Sequence, residues 1–269
     1  MLYKSLQPLD ENRQHIVSGV RSIISTQPAP RAAELQQALK TSGLSFFHLP
    51  MIQIQTVSLT QNIIETFHRL HTFQHLIFTS RNGVDSFFKL WQQTGKTFPD
   101  SIKIAVIGKG TAETVVQNAH RVDYIQPGNT SRDFARYLKE EVIQSGEKVL
   151  LALGNLAPDF LQDQLSPKAQ VERINVYQTL PVKDYDRKTM EKVFQNQYGL
   201  LVFSSPSAFY NFYAIYQQEK ANAPLRIVSI GEITTNAILN TTKAMVLTAK
   251  KPGTAGLAQE IIKYFHLKN

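Results

Sequence analysis

Short apolar segments alternate along the chain with longer stretches in which apolar residues recur every three or four positions. The short segments lack polar alternation, which is typical of strands buried on both faces of a parallel sheet. The longer stretches have the spacing of amphipathic helices. This alternation predicts an α/β fold with doubly wound parallel sheets. The clearest predicted strands are RSIIST, HLIFTS, IKIAVIG, KVLLALG, GLLVFSS and LRIVSIG.

One strand-to-helix pattern occurs twice. The segment IFTSRNGVDSFFKLW at 77–91 returns as VFSSPSAFYNFYAIY at 202–216, which is the signature of an internal repeat. In both copies bulky residues fall at i, i+3, i+4 and i+7, so we expect them on the buried face of a helix. They are Val84, Phe87, Phe88 and Trp91 in the first copy, and Phe209, Phe212, Tyr213 and Tyr216 in the second.

Composition excludes several classes of chemistry. The 269 residues include no cysteine, so disulfides, thiolate metal sites and a cysteine nucleophile are absent. The chain start carries Asp10, Glu11 and Arg13 where a signal peptide needs an apolar core, and no later segment has the long uncharged run of a membrane helix. We therefore expect a cytoplasmic protein with no membrane partner.

The net charge of +8 calls for an anionic partner or a generally basic surface. The Lys and Arg residues are scattered, and Arg187-Lys188 and Lys250-Lys251 are the only adjacent pairs. This distribution contains no recognisable nucleic-acid motif. A solvated basic surface and an acidic small molecule both stay open, and nucleic acid rests on charge alone.

Small polar residues follow the predicted strands, where the loops of doubly wound folds bind ligands. Hydroxyls, glycines and the N–H groups of helix starts suit carboxylate or phosphate. Each loop taken alone is well explained by ordinary N-caps and turns, and capping is favoured over direct catalysis at the serine and threonine positions. The candidate binding residues are Thr26, Ser80, Arg81, Lys109, Thr111, Gly154, Asn155, Ser205, Ser207 and Thr234.

Sharper motifs are missing. Gly108-x-Gly110 lacks the third glycine of a dinucleotide site, because Glu113 occupies that place. His68, His71 and His75 lie at i, i+3 and i+7, but no carboxylate pattern completes a metal site, so solvated surface histidines are the favoured interpretation. No nucleophile triad or nucleotide cofactor is supported.

Taken in order, these segments resemble the uroporphyrinogen-III synthase family from about Ser22 to Lys263. The resemblance implies two flavodoxin-like doubly wound parallel-sheet domains joined by two extended linkers. Domain 1 would comprise 1–50 plus 181–269, domain 2 would comprise 54–175, and the linkers would lie near 48–55 and 174–182. The matching segments are IFTSRNGVDSFF, IAVIGKGTAETV, QPGNTSRDFARYL, KVLLALGN, INVYQTLPV, VFSSPSAFYNF, IVSIGEITTNAI and KKPGTAGLAQEII.

The resemblance also implies an activity. Members of this family bind hydroxymethylbilane, a polycarboxylate linear tetrapyrrole, between their domains, and cyclise it to uroporphyrinogen III with loss of water and inversion of the terminal ring. No metal or organic cofactor takes part, and a monomer is expected. Tyr177 matches the family tyrosine that hydrogen-bonds the departing hydroxyl, and packing alone is the competing interpretation. Thr234 matches a threonine thought to touch substrate, with an N-cap as the alternative.

Some positions depart from the family pattern. Gln27 stands where the family commonly has an arginine after its first strand, so one expected carboxylate partner is missing. This departure keeps open a non-catalytic homologue that binds tetrapyrroles or other polyanions. The first 20 residues precede the family's usual start and are expected to form a mobile tail or an extra helix.

Overall fold

The computed structural model describes residues 20–126, 130–219, 221, 223–251 and 253–266. The tail expected over the first 20 residues therefore lies almost entirely outside the described residues. The chain divides into two compact units. The first contains the described residues up to Ile52 and those from Pro181 onward, and the second is Gln53–Leu180.

The described residues form alternating strands and helices. The strands are β1 (Ser22–Ser25), β2 (Ser45–His48), β3 (Ile52–Thr56), β4 (His75–Phe78), β5 (Lys103–Ile107), β6 (Tyr124–Gln126), β7 (Lys148–Gly154), β8 (Gln170–Pro181), β9 (Leu200–Phe203), β10 (Arg226–Ser229) and β11 (Met245–Thr248). The helices are α1 (Ala29–Ala38), α2 (Gln61–His68), α3 (Arg81–Gln92), α4 (Lys109–Gln117), α5 (Ser131–Tyr137), α6 (Phe160–Leu165), α7 (Arg187–Phe194), α8 (Pro206–Gln218), α9 (Glu232–Leu239) and α10 (Gly253–His266).

The first unit contains a five-stranded sheet in the order β11-β10-β9-β1-β2. All four neighbouring pairs are parallel. Numbered within the unit, the order is 2-1-3-4-5, that of flavodoxin-like doubly wound sheets, in which ligands bind beyond the carboxyl ends of the strands. The α/β fold class predicted from the alternating pattern is confirmed.

The second unit has a circularly permuted form of this order with one addition. Its sheet runs β3-β8-β7-β4-β5-β6, so β3 is an extra strand outside β8. The pairs β8–β7, β7–β4, β4–β5 and β5–β6 are parallel. The segments expected to be linkers are thus largely strand: β3 covers Ile52–Thr56 and β8 extends to Pro181.

The sequence repeat and the structural units do not coincide. The first copy supplies β1 and β2 to the first unit but β4, β5 and β6 to the second. The second copy supplies β7 and β8 to the second unit and returns to the first with β9, β10 and β11. Each sheet is therefore completed by strands from both copies.

The predicted aromatic stripes form the cores beside the sheets. In the first copy all four stripe residues are buried, with the Phe87 ring packed edge-on against Phe67 at 5.2 Å and Phe78 at 5.4 Å. In the second copy the stripe is also buried except for Tyr213, which packs against its cluster while partly exposed. The helical spacing is confirmed in both copies.

One prediction about the histidines is wrong. His68 and His71 are not buried, but His75 lies in β4 and is only 2% exposed. Its Nε2 pairs with the Glu147 carboxylate at 2.9 Å. His75 is therefore a buried residue of the sheet. The spacing from His68 to His75 does not mark one helical face, because α2 ends at His68 and β4 begins at His75.

Part of the positive charge is structural. Arg226 of β10 is buried, and its guanidinium donates hydrogen bonds to the carbonyls of Gly199 and Tyr198 and to Asn196 Oδ1. It also lies 4.5 Å from the centre of the Tyr198 ring. Burial raises the pKa of Tyr198 to about 12, so this ring stays neutral. Arg226 stabilises the first unit and is not available to an anionic ligand.

Helix length and polarity also bear on membrane insertion. Within the described ranges, none of the helices combines the length and apolar character needed to cross a membrane.

The Glu147–His75 pair predicts a pH-dependent stability. Burial raises the pKa of Glu147, but hydrogen bonds from the Gln144 N–H and His75 lower it by more, so the net pKa lies below 4.5. The ionised carboxylate thus stabilises the fold above about pH 4.5, and this contribution is lost as pH falls through the lowered folded-state pKa. We expect Glu147→Gln to reduce the free energy of unfolding at pH 7 by about 1 kcal/mol.

The difference in the free energy of unfolding between wild type and Glu147→Gln should become smaller in acid. Urea denaturation between pH 7 and pH 3 measures this difference. Glu141→Gln, at an exposed position, is the control. An equal loss at every pH would contradict the assignment.

Candidate active site

Tyr177 of β8 lies next to Ser80 at the carboxyl edge of the six-stranded sheet. Its Oη is 3.3 Å from Ser80 Oγ. Ser80 is the N-cap of α3, and its Oγ accepts a hydrogen bond from the Gly83 N–H at 3.1 Å. A serine hydroxyl has one hydrogen and two lone pairs, so Ser80 can cap the helix and also bond to Tyr177. The capping role weighed for Ser80 is confirmed, and the hydroxyl contact is additional to it.

An irregularity in the β7–β8 ladder determines where Tyr177 points. Leu153 pairs with Asn175, but the next residue, Gly154, pairs with Tyr177, so Val176 is an extra residue in β8. Successive side chains of a regular strand point to opposite faces. Here Val176 and Tyr177 both pack against the same core cluster, beside α3. The bulge therefore brings Tyr177 to the face where α3 begins.

Gly154 lies under the Tyr177 ring at a distance that only glycine permits. A Cβ on Gly154 would lie 2.5 Å from Tyr177 Cε2 and 2.7 Å from its Oη. Such distances are shorter than any ordinary Cβ contact, so a side chain at residue 154 would displace the ring. Gly154, predicted as a ligand-binding residue, thus makes room for Tyr177.

Asn155 is the first residue after β7, and both of its hydrogen bonds go to β8. Its N–H donates to the Tyr177 carbonyl at 3.1 Å. Its side-chain Oδ1 accepts a hydrogen bond from the Thr179 N–H at 2.8 Å. Asn155 was predicted to bind substrate, but its side-chain oxygen already has a backbone partner.

Arg173 of β8 also binds this loop. Its Nη2 donates to the Gly154 carbonyl at 3.1 Å, and its Nη1 donates to Asp159 at 2.6 Å. Its Nε and Nη2 also donate to Asn175 Oδ1. The side chain is only 13% exposed. Sequence motifs do not identify Arg173, because a single arginine within a strand carries no spacing signal.

The next loop along this edge starts α4. Gly108 is the N-cap with φ +78°, a backbone conformation that favours glycine, and no side chain caps the helix. The first N–H groups of an uncapped helix have no partner within the helix. Thr111 is buried in the first turn, whereas the Lys109 side chain is 92% exposed and lies 4.0 Å from Glu113.

Arg81 lies against this helix start. A Cβ on Gly110 would be 2.5 Å from the Arg81 Nη2, so the guanidinium covers the first turn of α4. A cation beside an uncapped helix N-terminus is a favourable place for a carboxylate. Direct contacts within the group or with adjoining loop residues thus connect five of the predicted residues of the second unit, which are Ser80, Arg81, Gly154, Asn155 and Tyr177. Lys109 instead extends away into solvent.

In the first unit the predicted residues divide into two kinds. Ser205 caps α8 by accepting the Ala208 N–H at 3.2 Å, and the Ser207 Oγ lies 3.1 Å from the Ser205 Oγ. Both serines are partly exposed. Thr26 and Thr234 are buried, and Thr26 Oγ1 donates to the Val202 carbonyl at 2.7 Å. Burial argues against a substrate contact of these two side chains.

Two further expectations concern this unit. Thr234 does not cap α9, because Gly231 is the N-cap and Thr234 lies in the first turn. Gln27 is 2% exposed, and its Oε1 accepts a hydrogen bond from Ser25 Oγ. The residue that replaces the expected arginine is thus folded into the unit and offers no cation.

The distribution of acidic and imidazole side chains bears on metal binding. Nowhere in the part of the chain that the structure describes do three His, Asp or Glu side chains group as potential metal ligands.

Comparison with known proteins gives one consistent result. The family model described as uroporphyrinogen-III synthase HemD matches residues 33–259. The uroporphyrinogen-III synthase of Proteus mirabilis is 31% identical over 163 residues, covering 59% of this chain and 80% of that protein. The uroporphyrinogen-III synthase of Chlorobaculum parvum is 23% identical over 227 residues, covering 81% and 89%.

A solved structure gives the same fold. The crystal structure of a mutant uroporphyrinogen III synthase from Thermus thermophilus aligns with a TM-score of 0.62 at 13% identity. It covers 91% of this chain and 99% of that chain. This similarity supports the two-unit doubly wound fold described above.

The contact between Gly154 and Tyr177 predicts a stability coupling. Gly154→Ala should lower the free energy of unfolding by about 1–3 kcal/mol, because the added Cβ overlaps the ring. In a Tyr177→Ala background the same substitution should cost little, since the ring is gone. Urea denaturation of the four proteins measures the coupling.

Gly43→Ala is the matched control. Gly43 has φ +69°, and a Cβ added to it would have no heavy atom within 4 Å. The cost of this substitution should therefore come from the backbone and be equal in both backgrounds. An undiminished cost of Gly154→Ala without the ring would contradict the contact.

Proposed function

The chain belongs to the uroporphyrinogen-III synthase family, and we propose that it cyclises hydroxymethylbilane to uroporphyrinogen III. The observation that carries this proposal is the Tyr177–Ser80 hydroxyl pair at the carboxyl edge of the six-stranded sheet. The pair lies where doubly wound folds bind ligands. It also lies beside the helix starts and the Arg81 cation that suit a polycarboxylate.

In the proposed reaction, the Tyr177 hydroxyl donates a hydrogen bond to the departing hydroxyl of the substrate. The carbon–oxygen bond breaks as the pyrrole ring that bears the hydroxymethyl group donates electron density to that methylene carbon. The departing hydroxyl gains a proton, and the substrate loses one when the final pyrrole regains aromaticity, so the net change is the loss of one water. The methylene carbon first bonds to the α-carbon of the last ring that already carries a bridge, which gives a spiro intermediate. That bridge then breaks from this carbon and re-forms at the free α-carbon of the same ring, which inverts the last ring.

Ser80 assists through the Tyr177 oxygen. Because Ser80 Oγ already accepts the Gly83 N–H, its own hydrogen is available to Tyr177 Oη, 3.3 Å away. A donor to Tyr177 Oη leaves the phenolic hydrogen for the substrate and stabilises the negative charge that grows on the phenol oxygen during donation. The helix cap therefore also prepares the tyrosine as a hydrogen-bond donor.

Binding rather than strong acid–base chemistry carries most of the catalysis in this proposal. The bilane closes to the type I isomer without an enzyme, so the chain must favour the conformation that inverts the last ring. Arg81, Lys109 and the first turn of α4 bind carboxylates in the second unit. Ser205 and Ser207 provide hydroxyls in the first. The proposal invokes no metal or cofactor, and it assigns the chain to the cytoplasm as a monomer.

The direct test supplies freshly prepared hydroxymethylbilane and measures the ratio of type III to type I uroporphyrinogen after oxidation. We expect the type III isomer to dominate with the chain present. A ratio equal to that of the enzyme-free control would contradict the proposal and favour a non-catalytic tetrapyrrole-binding protein.

Removal of the phenolic hydroxyl tests the role of Tyr177. We expect Tyr177→Phe to lower kcat for type III formation about 100-fold, the usual loss when one preorganised donor is removed. KM should change little, because the ring still packs on Gly154. Tyr213→Phe, on the α8 stripe of the first unit, is the control. Full activity of Tyr177→Phe would remove Tyr177 from the mechanism.

A further inference from the structure

The bulge in β8 breaks the regular ladder just where Tyr177 must be held. Beyond the shift between Leu153 and Gly154, Gly154 is the last residue of β7 with a ladder partner. β3 still lies along the other edge of β8, but the edge that faces β7 has no ladder partner beyond Tyr177 among the described residues. The backbone groups of that edge turn to water unless another group bonds to them, so a functional side chain there gains rigidity from any such group.

Asn155 supplies that rigidity through two hydrogen bonds. Its main chain donates to the Tyr177 carbonyl at 3.1 Å, and its side-chain oxygen accepts the Thr179 N–H at 2.8 Å. The two bonds attach β8 at Tyr177 and again two residues later. The side chain of Asn155 thus continues the hydrogen bonding of β7 after its backbone has turned away.

The position of Asn155 is itself fixed by the paired part of β8, to which Arg173 belongs. Arg173 binds the preceding carbonyl, that of Gly154, and the Asp159 carboxylate at the far end of the loop. The Ala157 N–H closes the loop on the Gly154 carbonyl at 3.1 Å. The loop is therefore held to the paired part of β8, and Asn155 can transmit this rigidity to the end of the same strand.

We infer that Asn155 is a positioning residue for Tyr177, acting through its side-chain oxygen on the Thr179 N–H. This inference rests on the proposed function, because Tyr177 is the group that it positions. It differs from the carboxylate-binding role expected for Asn155 from its loop position. In that role the side-chain amide would donate to substrate, whereas the contacts in the structure assign the acceptor oxygen to the protein backbone.

Two substitutions of Asn155 separate the positioning role from the substrate-binding role, because the two roles predict different kcat and KM values for them. Asn155→Ala removes the oxygen, and Asn155→Asp keeps an acceptor for the Thr179 N–H while adding negative charge. For a positioning residue, Asn155→Ala should lower kcat about tenfold with KM within about twofold, since small displacements of a catalytic group are costly. Asn155→Asp should restore most of the lost kcat. Asn62→Ala, at an exposed asparagine of α2, is the matched control.

Hydrogen–deuterium exchange gives a readout that does not need substrate. We expect the Thr179 amide to exchange about tenfold faster in Asn155→Ala, with protection restored in Asn155→Asp. Asn62→Ala should leave that amide unchanged. The whole chain is used for all measurements, and thermal unfolding verifies that each variant is folded.

The contrary results are distinct. If Asn155→Ala raises KM at unchanged kcat, and Asn155→Asp raises it further by repelling substrate carboxylates, Asn155 binds substrate and the inference fails. It also fails if the Thr179 amide exchanges at the wild-type rate in Asn155→Ala. If wild type forms no type III product, the proposed function fails. The exchange comparison then decides by itself whether Asn155 holds this segment.

Discussion

The register shift between β7 and β8 is the constraint on which the candidate site depends. Regular pairing would alternate Val176 and Tyr177 across the sheet, and the tyrosine would leave the face on which α3 begins. One extra residue puts both on the same face. Gly154 then has to be a glycine, because the ring occupies the space of its side chain. Ser80, as the cap of α3, meets the hydroxyl.

The first unit shows a comparable shift with a different outcome. At the carboxyl end of β2, the Leu49 and Met51 N–H groups donate to the carbonyls of Ser25 and Thr26, so two residues on the β2 side advance the pairing by only one residue on the β1 side. Leu49 and Met51 are fully buried. The two sheets share their strand order apart from a circular permutation, and both have a serine cap after the central strand. They differ at the strand next to β1 or β7. In the first unit the chain after β2 is buried, whereas in the second unit β8 presents the Tyr177 hydroxyl.

Local patterns were sufficient to predict the strands, the aromatic helix faces and the caps at Ser80 and Ser205, because these depend on neighbours within a few residues. Contacts distant in sequence were not predictable in this way. The pairing of His75 with Glu147 and the carbonyl ligands of Arg226 arise only when strands assemble. Nothing in INVYQTLPV signals a bulge. Gly154 did carry a signal, since a glycine at a strand end often marks close approach, but its partner was unknown.

The net charge of the chain indicates an anionic partner but does not identify which basic residues bind it. The excess of Lys and Arg suggested an anionic partner, but the guanidinium groups of Arg226 and Arg173 bind acceptors of the protein itself. Arg81 lies beside the start of α4, which no side chain of the described part of the chain caps. The site is therefore defined less by the amount of charge than by the few groups held rigidly at one sheet edge.

The central claim is that Ser80 acts on catalysis through the Tyr177 hydroxyl. A double-mutant cycle of Ser80→Ala and Tyr177→Phe, measured as kcat for type III formation from hydroxymethylbilane, tests it most directly. If Ser80 acts through that hydroxyl, the double variant should have the same kcat as Tyr177→Phe within about twofold, because Ser80 then has no hydroxyl to act on. About twofold is also the scatter expected when the free energies of independent substitutions add. Losses that multiply would show that the two residues act separately, and would contradict the account.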